Sequence, residues 1–334
     1  MLSLSPQSWP HRRVNGRLQL PPEIIYQIIE TVLPLNDNLF LPPTGVECRT
    51  LLSLVRVNKE VHMFATKILR ERCNYVESRQ RLTDMLACLP RTVPSMPSIM
   101  PLRSMTSLYL EPFGETLDDL HTAELVRELL REVGPTLRRL IVKMPFNSLE
   151  LEDDRDHVQR TLREGFESLD ALEEFACLGQ YPVLIDPGPG PDADVWRLWP
   201  ELRRLALFGV PLDSHWLWWD IATLPRLERV VLSRCDNLGG TNIKQEYFHT
   251  LPDGDNRLTR DVTVVIMDLG REIGTIPCDN WKTLDPEERM TVALFEVPGP
   301  AVYDAHDADT IVTDLVLRGA LTGELWGWVT QVLW

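Results

Sequence analysis

Seven histidines and six cysteines are the side chains in this sequence best suited to metal binding or nucleophilic chemistry. The histidines are spread along the chain, and none falls in the H-x-x-x-H or H-E-x-x-H spacing that puts two ligands on one helix face. The cysteines form no C-x-x-C pair, so neither a zinc site nor a disulfide scaffold is indicated. We therefore expect free thiols, no metal and no cofactor.

Motifs for acyl or phosphoryl chemistry are missing as well. No G-x-S-x-G nucleophile elbow occurs. The glycines of GPGPD, residues 188–192, alternate with prolines that lack N–H groups, so this stretch cannot cradle a phosphate. The sequence predicts a non-catalytic protein.

The stretch HWLWWD, residues 215–220, is the most unusual local composition. Tryptophan is enriched at binding hot spots, but it is also a large core residue. Helical geometry would place at most two of the three tryptophans on one face. Trp216 and Trp218 are therefore candidates for a binding surface, with core packing as the alternative.

Length and charge restrict the kind of partner. The chain has 334 residues, a net charge of −15 and 44% hydrophobic residues, which suits two globular domains or one domain plus a repeat array. The negative charge disfavours nucleic acids and anionic membranes. No apolar run is long enough to span a bilayer, and the first residues lack the order of a signal peptide. We expect a cytoplasmic or nuclear protein with no membrane partner.

A spaced apolar pattern organises the middle of the chain. The pattern is L-x-x-L-x-L, where L is any apolar residue and x any residue, as in leucine-rich repeats. It recurs about every 25 to 35 residues. Its five copies are MTSLYL from Met105, LRRLIV from Leu137, LEEFAC from Leu172, LRRLAL from Leu202 and LERVVL from Leu227. Residues 120–134 and 157–169 predict helices between the copies. This order favours a solenoid of short parallel strands with helical or loop return arms.

Strand and helix patterns continue to the C-terminus. Residues 260–269 and 289–297 alternate as strands, and residues 308–321 predict a helix. Trp326, Trp328 and Trp334 are expected to pack the C-terminus onto the repeats as a cap.

The N-terminal region predicts three helices. LPPEIIYQIIETVL, residues 20–33, starts at a proline and carries isoleucines at helical spacing. Further helices are predicted near residues 49–58 and 61–69. Together they make only a marginal core, so their apolar surplus indicates burial against something else.

These N-terminal stretches resemble an F-box. LPPEIIYQIIETVLP, followed by LLSLVRVNKEVHMFATKIL, is similar to the Leu-Pro-x-Glu-Ile start and the later LLxLxxVxKxxxxxAxxxL block of that motif. The whole chain is similar to fungal F-box proteins with degenerate leucine-rich repeats, whose C-terminal stretches resemble VTVVIMD and MTVALFEVP here.

The resemblance implies a substrate-recognition subunit of a Skp–cullin–F-box ubiquitin ligase, which is an adaptor without catalysis of its own. The F-box would bind a Skp-type adaptor and, through it, a cullin, and the repeats would bind a protein substrate. The implied adaptor-binding residues are Leu20, Pro21, Ile24, Ile28, Leu52 and Val57. The candidate substrate surface consists of Tyr109, Arg139, Arg204 and Arg229 on the concave face of the repeats, with Trp216 and Trp218. The alternative is a scaffold protein whose decayed F-box packs into its own core.

The predicted fold class is α/β, with a small N-terminal helical F-box and an irregular leucine-rich-repeat-like solenoid. The predicted boundaries are a flexible leader at 1–17, the F-box-like domain at 18–75, a proline-rich connecting segment at 76–102 and the repeat domain with its C-terminal cap at 103–334.

Overall fold

The computed structural model describes residues 13–14, 17–18, 21–34, 39–87, 105–150, 152–184, 194–252, 254–268, 276–297, 305–328 and 330–333. Leu20, Trp334, most of the predicted leader and the proline-rich stretch 89–102 lie outside these residues.

Ten α-helices and eleven strands occur within the described residues. The helices are α1 (Pro22–Val32), α2 (Val46–Leu54), α3 (Lys59–Arg72), α4 (Arg79–Ala87), α5 (Leu120–Val133), α6 (Val158–Phe166), α7 (His215–Thr223), α8 (Ile243–His249), α9 (Trp281–Leu284) and α10 (Ala305–Thr322). The strands are β1 (Arg13–Val14), β2 (Arg17–Leu18), β3 (Tyr75–Val76), β4 (Ser107–Leu110), β5 (Arg139–Lys143), β6 (Glu174–Leu178), β7 (Arg204–Phe208), β8 (Arg229–Ser233), β9 (Val262–Asp268), β10 (Met290–Glu296) and β11 (Gln331–Val332). Short 3₁₀ turns lie at Phe146–Ser148, Val195–Leu198, Asn256–Thr259 and Glu324–Gly327.

The chain divides into two compact units. The first comprises Met1–Asp37 and Leu41–Leu69, and it holds the antiparallel pair β1–β2, α1, α2 and most of α3. The second comprises Asn38–Phe40 and Arg70–Trp334. The sheet unit therefore begins before the predicted residue 103, because β3 and α4 already belong to it. A two-residue strand is too short to show the repeat pattern, which is why the sequence placed this region in a connecting segment.

The second unit is built on one nine-stranded sheet in the order β11-β10-β9-β8-β7-β6-β5-β4-β3. The eight strands from β3 to β10 are parallel, and β11 pairs antiparallel with the edge of β10. Spatial order follows chain order without a reversal. The predicted α/β class with short parallel strands is confirmed, and the strand order is compatible with a solenoid-like arrangement.

One face of the sheet carries the connecting helices. The second and third apolar positions of each repeat copy, such as Leu140 and Val142, are fully buried on this face, because alternate side chains of a strand point the same way. α4 to α9 pack there through side chains such as Leu162 and Trp218. Polar caps fix the helix starts: Asp119 accepts from the Thr122 N–H at 3.1 Å, and Asp154 accepts from the Val158 N–H at 2.7 Å. The repeat pattern thus encodes the helix-side core.

The opposite face of the sheet is covered by α10, and we call it the α10 face. In-register residues of six neighbouring strands form its apolar centre: Tyr109, Ile141, Ala176, Ala206, Val231 and Val265. A stripe on α10 spaced at four residues, which is Ala308, Val312, Val316 and Ala320, packs against them. The sequence predicted a C-terminal cap and an open concave face. The face is instead occupied, because an apolar sheet centre of this size must be shielded from water.

Candidate functional site

The first candidate site is a set of exposed apolar side chains in the first unit. Among the predicted adaptor-binding residues, Pro21 is exposed and Ile24 is half-buried. Ile28, Leu52 and Val57 are 49%, 53% and 59% exposed. Leu20 lies outside the described residues. The structure therefore leaves accessible three large apolar side chains that the sequence had nominated.

Two further residues join this set although the sequence analysis did not name them. Val46, the first residue of α2, is 72% exposed, and Met63 of α3 is 51% exposed. The buried residues of α3 are Val61, Ala65 and Ile68, at spacings of four and three residues, and Met63 lies off that buried stripe. We call Ile28, Val46, Leu52, Val57 and Met63 the exposed apolar set.

Buried neighbours hold the exposed apolar set in place. Ile29, Leu51 and Val61 are 1%, 1% and 0% exposed, so each helix of the unit has a buried side and an exposed side. The rings of Tyr26 and Phe64 lie with centroids 4.7 Å apart and join α1 to α3.

The loop between α2 and α3 is also fixed. Asn58 caps α3, because its Oδ1 accepts from the Val61 N–H at 2.9 Å. Val57 is therefore displayed next to a well-defined helix start rather than in an unanchored turn.

The exposed apolar set is concentrated in one part of the chain. Among the described residues, eight large hydrophobic side chains are exposed, and five of them belong to this short helical unit. Single exposed apolar residues need no explanation, but such a concentration is typical of a surface that another protein covers.

The second candidate site is the α10 face, where the sequence placed a substrate surface. Tyr109 lies in the covered centre and is only 4% exposed, and its hydroxyl donates to Glu111. Burial, that hydrogen bond and the Glu111 charge raise the pKa of Tyr109. The prediction that Tyr109 is a contact residue is wrong, because its ring is buried in the apolar cluster of the α10 face, 5.4 Å from the ring of Tyr75.

Charged residues form one row across the α10 face. Arg139, Glu174, Arg204 and Arg229 are register partners on β5, β6, β7 and β8. The Arg139 Nε donates to Glu174 Oε2 at 2.8 Å, and the Arg139 side chain is only 10% exposed. The Arg139 guanidinium also lies 5.6 Å from the centroid of the Phe40 ring. Arg139 is thus part of the packed structure rather than of an open surface.

Glu174 is the acceptor for three donors. Besides Arg139, the Arg204 Nη1 donates to its Oε1 at 2.6 Å, and the Trp326 indole N–H donates to its Oε2 at 3.0 Å. Glu174 therefore ties the sheet to the segment that follows α10. The sequence gives no signal for this role of Glu174, because its partners come from distant parts of the chain.

Arg204 and Arg229 are the more accessible members of the row. The Arg204 side chain is 36% exposed, and Arg229 is half-buried. Partial burial and, second, the positive charge of Arg204 lower the pKa of Arg229 from its usual value. The Nε of Arg229 is buried and has no hydrogen-bond partner among the described residues. We call these two residues the arginine pair.

The tryptophan cluster of α7 divides between surface and core. Trp218 is fully buried, and its indole N–H donates to the Leu212 carbonyl at 2.7 Å. The prediction that Trp218 contributes to a binding surface is therefore wrong. Trp216 is 58% exposed, and its ring meets that of His215 edge-on at 5.9 Å between centroids.

A buried acidic cluster is the part of the second unit with the most unusual titration. Asp220 is 2% exposed, and its Oδ2 accepts from the Asp194 N–H at 3.1 Å. Burial and the Asp194 charge raise the pKa of Asp220 to about 7. The Tyr181 hydroxyl donates to Asp194 at 2.7 Å, and Arg197 lies 3.5 Å from Asp220. The cluster joins three segments of the chain and packs among core residues.

Metal-ligating groups and membrane-spanning helices are not found in the described part of the chain. It brings together no group of three His, Cys, Asp or Glu side chains that could hold a metal ion. No helix in the described ranges is both long and apolar enough to cross a membrane. Open α/β sheets usually bind ligands at the point where the strand order reverses. The strand order from β3 to β10 has no such reversal.

Comparison of the chain with known protein families, with curated proteins and with solved structures finds no match. Function is therefore inferred from the two surfaces described above.

Proposed function

We propose that this chain is a non-catalytic substrate receptor of a Skp–cullin–F-box ubiquitin ligase. The first unit binds a Skp-type adaptor, which connects it to a cullin, and the sheet unit binds a protein substrate. The observation that carries the proposal is the exposure of Ile28, Leu52 and Val57, the residues that the F-box resemblance assigns to the adaptor. Such a receptor acts in the cytoplasm or nucleus.

Burial of these side chains supplies the driving force for adaptor binding. Removing apolar surface from water stabilises an interface by roughly 25 cal/mol per Å², and part of this is offset by the entropy lost on association. Helical surfaces with apolar residues on one side commonly bind partner helices in this way. The exposed apolar set gives the first unit such a surface while Ile29, Leu51 and Val61 keep its own core.

The alternative is a scaffold whose F-box has decayed into a core element. The scaffold alternative requires the residues that the F-box resemblance assigns to the adaptor to be buried within this chain. Asn58 and Val61, which differ from the usual F-box residues at their positions, have structural roles here, one as a cap and one as a core residue. The exposure of Ile28, Leu52 and Val57 favours docking over the scaffold.

The experiment is co-expression of the full chain with a fungal Skp-type adaptor, followed by size-exclusion chromatography. We expect the wild-type chain to co-elute with the adaptor and the double variant Ile28→Asp, Leu52→Asp to elute alone. Because both side chains are about half exposed, the variant should remain folded, which circular dichroism checks.

Trp216→Asp provides the matched control, since Trp216 is equally exposed and lies in the other unit. It should leave the complex intact. Absence of a complex with well-folded wild-type chain, or loss of the complex only with Trp216→Asp, would overturn the proposed function and favour the scaffold.

A further inference from the structure

We propose that the arginine pair, Arg204 and Arg229, binds an anionic oxygen group, a carboxylate or a phosphate, on the protein substrate. The proposal rests on the receptor function above and adds the chemical class that the sheet unit recognises. The proposed binding site lies on the α10 face, at the two arginines of the charged row that are partly exposed.

The backbone places the two arginine residues side by side. Arg204 and Arg229 are direct register partners on the parallel strands β7 and β8, so their backbones are roughly 4.8 Å apart. Both residues lie two positions before members of the apolar centre, Ala206 and Val231, and therefore share the α10 face. Like charges directly opposite each other on a sheet destabilise it unless an anion lies between them.

The described carboxylates on this row do not supply that anion. The row holds three arginines and one glutamate. Both oxygens of Glu174 already accept hydrogen bonds, one from Arg204 and the other from Arg139 and Trp326. The next strand contributes Thr263, which is uncharged, as the register partner of Arg229. Arg229 is left with a positive charge and no carboxylate in this row.

The Nε of Arg229 indicates where the anion would bind. The buried Nε of Arg229 has no hydrogen-bond partner within the described residues, and buried polar groups without a partner are rare in folded proteins. The planar guanidinium presents donors in a fork that matches the two oxygens of a carboxylate or phosphate. The Nε itself is covered, but Arg229 as a whole is half-buried and the Arg204 side chain is 36% exposed, so the pair is partly open to solvent.

The excess of positive charge at the arginine pair contrasts with the strongly negative charge of the whole chain. The net charge is −15, so the protein as a whole does not attract anions. Two adjacent arginines, of which only Arg204 pairs with a carboxylate of the row, are therefore a specific feature of this site. A substrate segment with an acidic side chain, a terminal carboxylate or a phosphorylated residue has the required group.

The test is anion-specific stabilisation of the full chain. The thermal unfolding midpoint is followed while sodium phosphate, or separately sodium acetate, replaces sodium chloride at constant ionic strength. A ligand that binds only the folded state raises the midpoint as its concentration increases. We expect such a rise for the wild-type chain and a roughly tenfold weaker apparent affinity for Arg229→Gln, which loses the fork and its charge.

Arg203→Gln is the matched control. Arg203 precedes Arg204 in the chain, but its Nη1 donates to Glu228 at 3.1 Å, so this arginine already has a partner. Its variant should respond to the anion like the wild type. Arg229→Lys keeps the charge without the fork and should give an intermediate affinity, which keeps the test decisive if Arg229→Gln does not fold.

Each outcome decides the proposal. A response to acetate and phosphate supports a carboxylate group, and a response to phosphate alone supports a phosphorylated residue. No anion-specific rise in the wild type, or an equal rise in Arg229→Gln, overturns the site. Adaptor binding is measured on the other unit, so failure of the anion site and failure of the receptor function are distinguishable.

Discussion

Trp326 donates its indole N–H to Glu174 over 3.0 Å, although 152 residues separate the two in the chain. This hydrogen bond joins the segment after α10 to the middle of the sheet. Two other contacts hold the same cover: the Phe40 N–H donates to the Leu321 carbonyl at 2.8 Å, and Arg234 pairs with Asp309 at 2.5 Å. α10 and the segment after it are therefore held on this face by polar contacts at several places as well as by apolar packing.

Trp326 should contribute to stability through both its bulk and its hydrogen bond. Trp326→Ala leaves a cavity in the α10 face, and we expect it to lower the free energy of unfolding by about 3 kcal/mol. Trp326→Phe keeps most of the apolar bulk and should cost about 1 kcal/mol, the typical value of one hydrogen bond. Urea unfolding followed by circular dichroism measures both values. Wild-type stability of Trp326→Phe would contradict the hydrogen bond to Glu174, and equal stability of the two variants would contradict the packing of the ring.

Glu174 should be far more important than its chain neighbour Glu173. Glu174→Gln leaves the nearly buried Arg139 without its carboxylate, and we expect a loss of about 3 kcal/mol in the free energy of unfolding. Glu173 pairs with the exposed Arg138, so Glu173→Gln should change stability by less than about 0.5 kcal/mol. Urea midpoints of the two variants provide the comparison. Similar losses would show that the charged row is not buried as described.

Two adjacent isoleucines of α1 should differ strongly. Ile29 is 1% exposed, so Ile29→Ala should lower the free energy of unfolding by about 2–4 kcal/mol. Ile28 is 49% exposed, so Ile28→Ala should stay within about 0.5 kcal/mol of the wild type. Denaturation curves of the full chain test both. A large effect of Ile28→Ala in the absence of partners would favour the scaffold reading.

Asp220 should make stability depend on pH in a defined window. Its pKa in the folded chain is about 7, above its ordinary value of 3.8, so the folded state holds the proton more tightly than the unfolded state. Proton binding by Asp220 contributes in full to the free energy of unfolding below about pH 4. This contribution is lost as the pH rises towards 7. Asp220→Asn, which cannot ionise, should lose less stability over this range. Thermal midpoints of both proteins between pH 4 and pH 8 test this, and parallel curves would contradict it.

Much of the second unit could be predicted from the sequence because its signals are local. The five repeat copies coincide with β4 to β8, and the alternating stretches near the C-terminus coincide with β9 and β10. The helix predicted at residues 120–134 is α5, which spans Leu120–Val133. Periods of two and 3.6 residues reflect the geometry of one segment, so they are readable without knowing its neighbours.

The candidate site was predictable only in part. Exposure of Ile28, Leu52 and Val57 agrees with the surface that the F-box resemblance implies, and the arginine pair lies on the sheet face where the alternation placed it. The roles assigned to Tyr109 and Trp218 are wrong, because their burial depends on what packs over them. Side-chain type and spacing do not reveal a covering element that comes from another part of the chain.

The sequence by itself determined the strands, most helices, the face on which each strand residue lies and the apolar surplus of the first unit. Only the tertiary structure decided that α10 covers the face opposite the connecting helices, that Glu174 accepts from Trp326, and that Arg229 is left without a carboxylate in its row. The physical reason is that local backbone geometry is repeated residue by residue, whereas burial and charge pairing depend on segments that meet only when the whole chain folds.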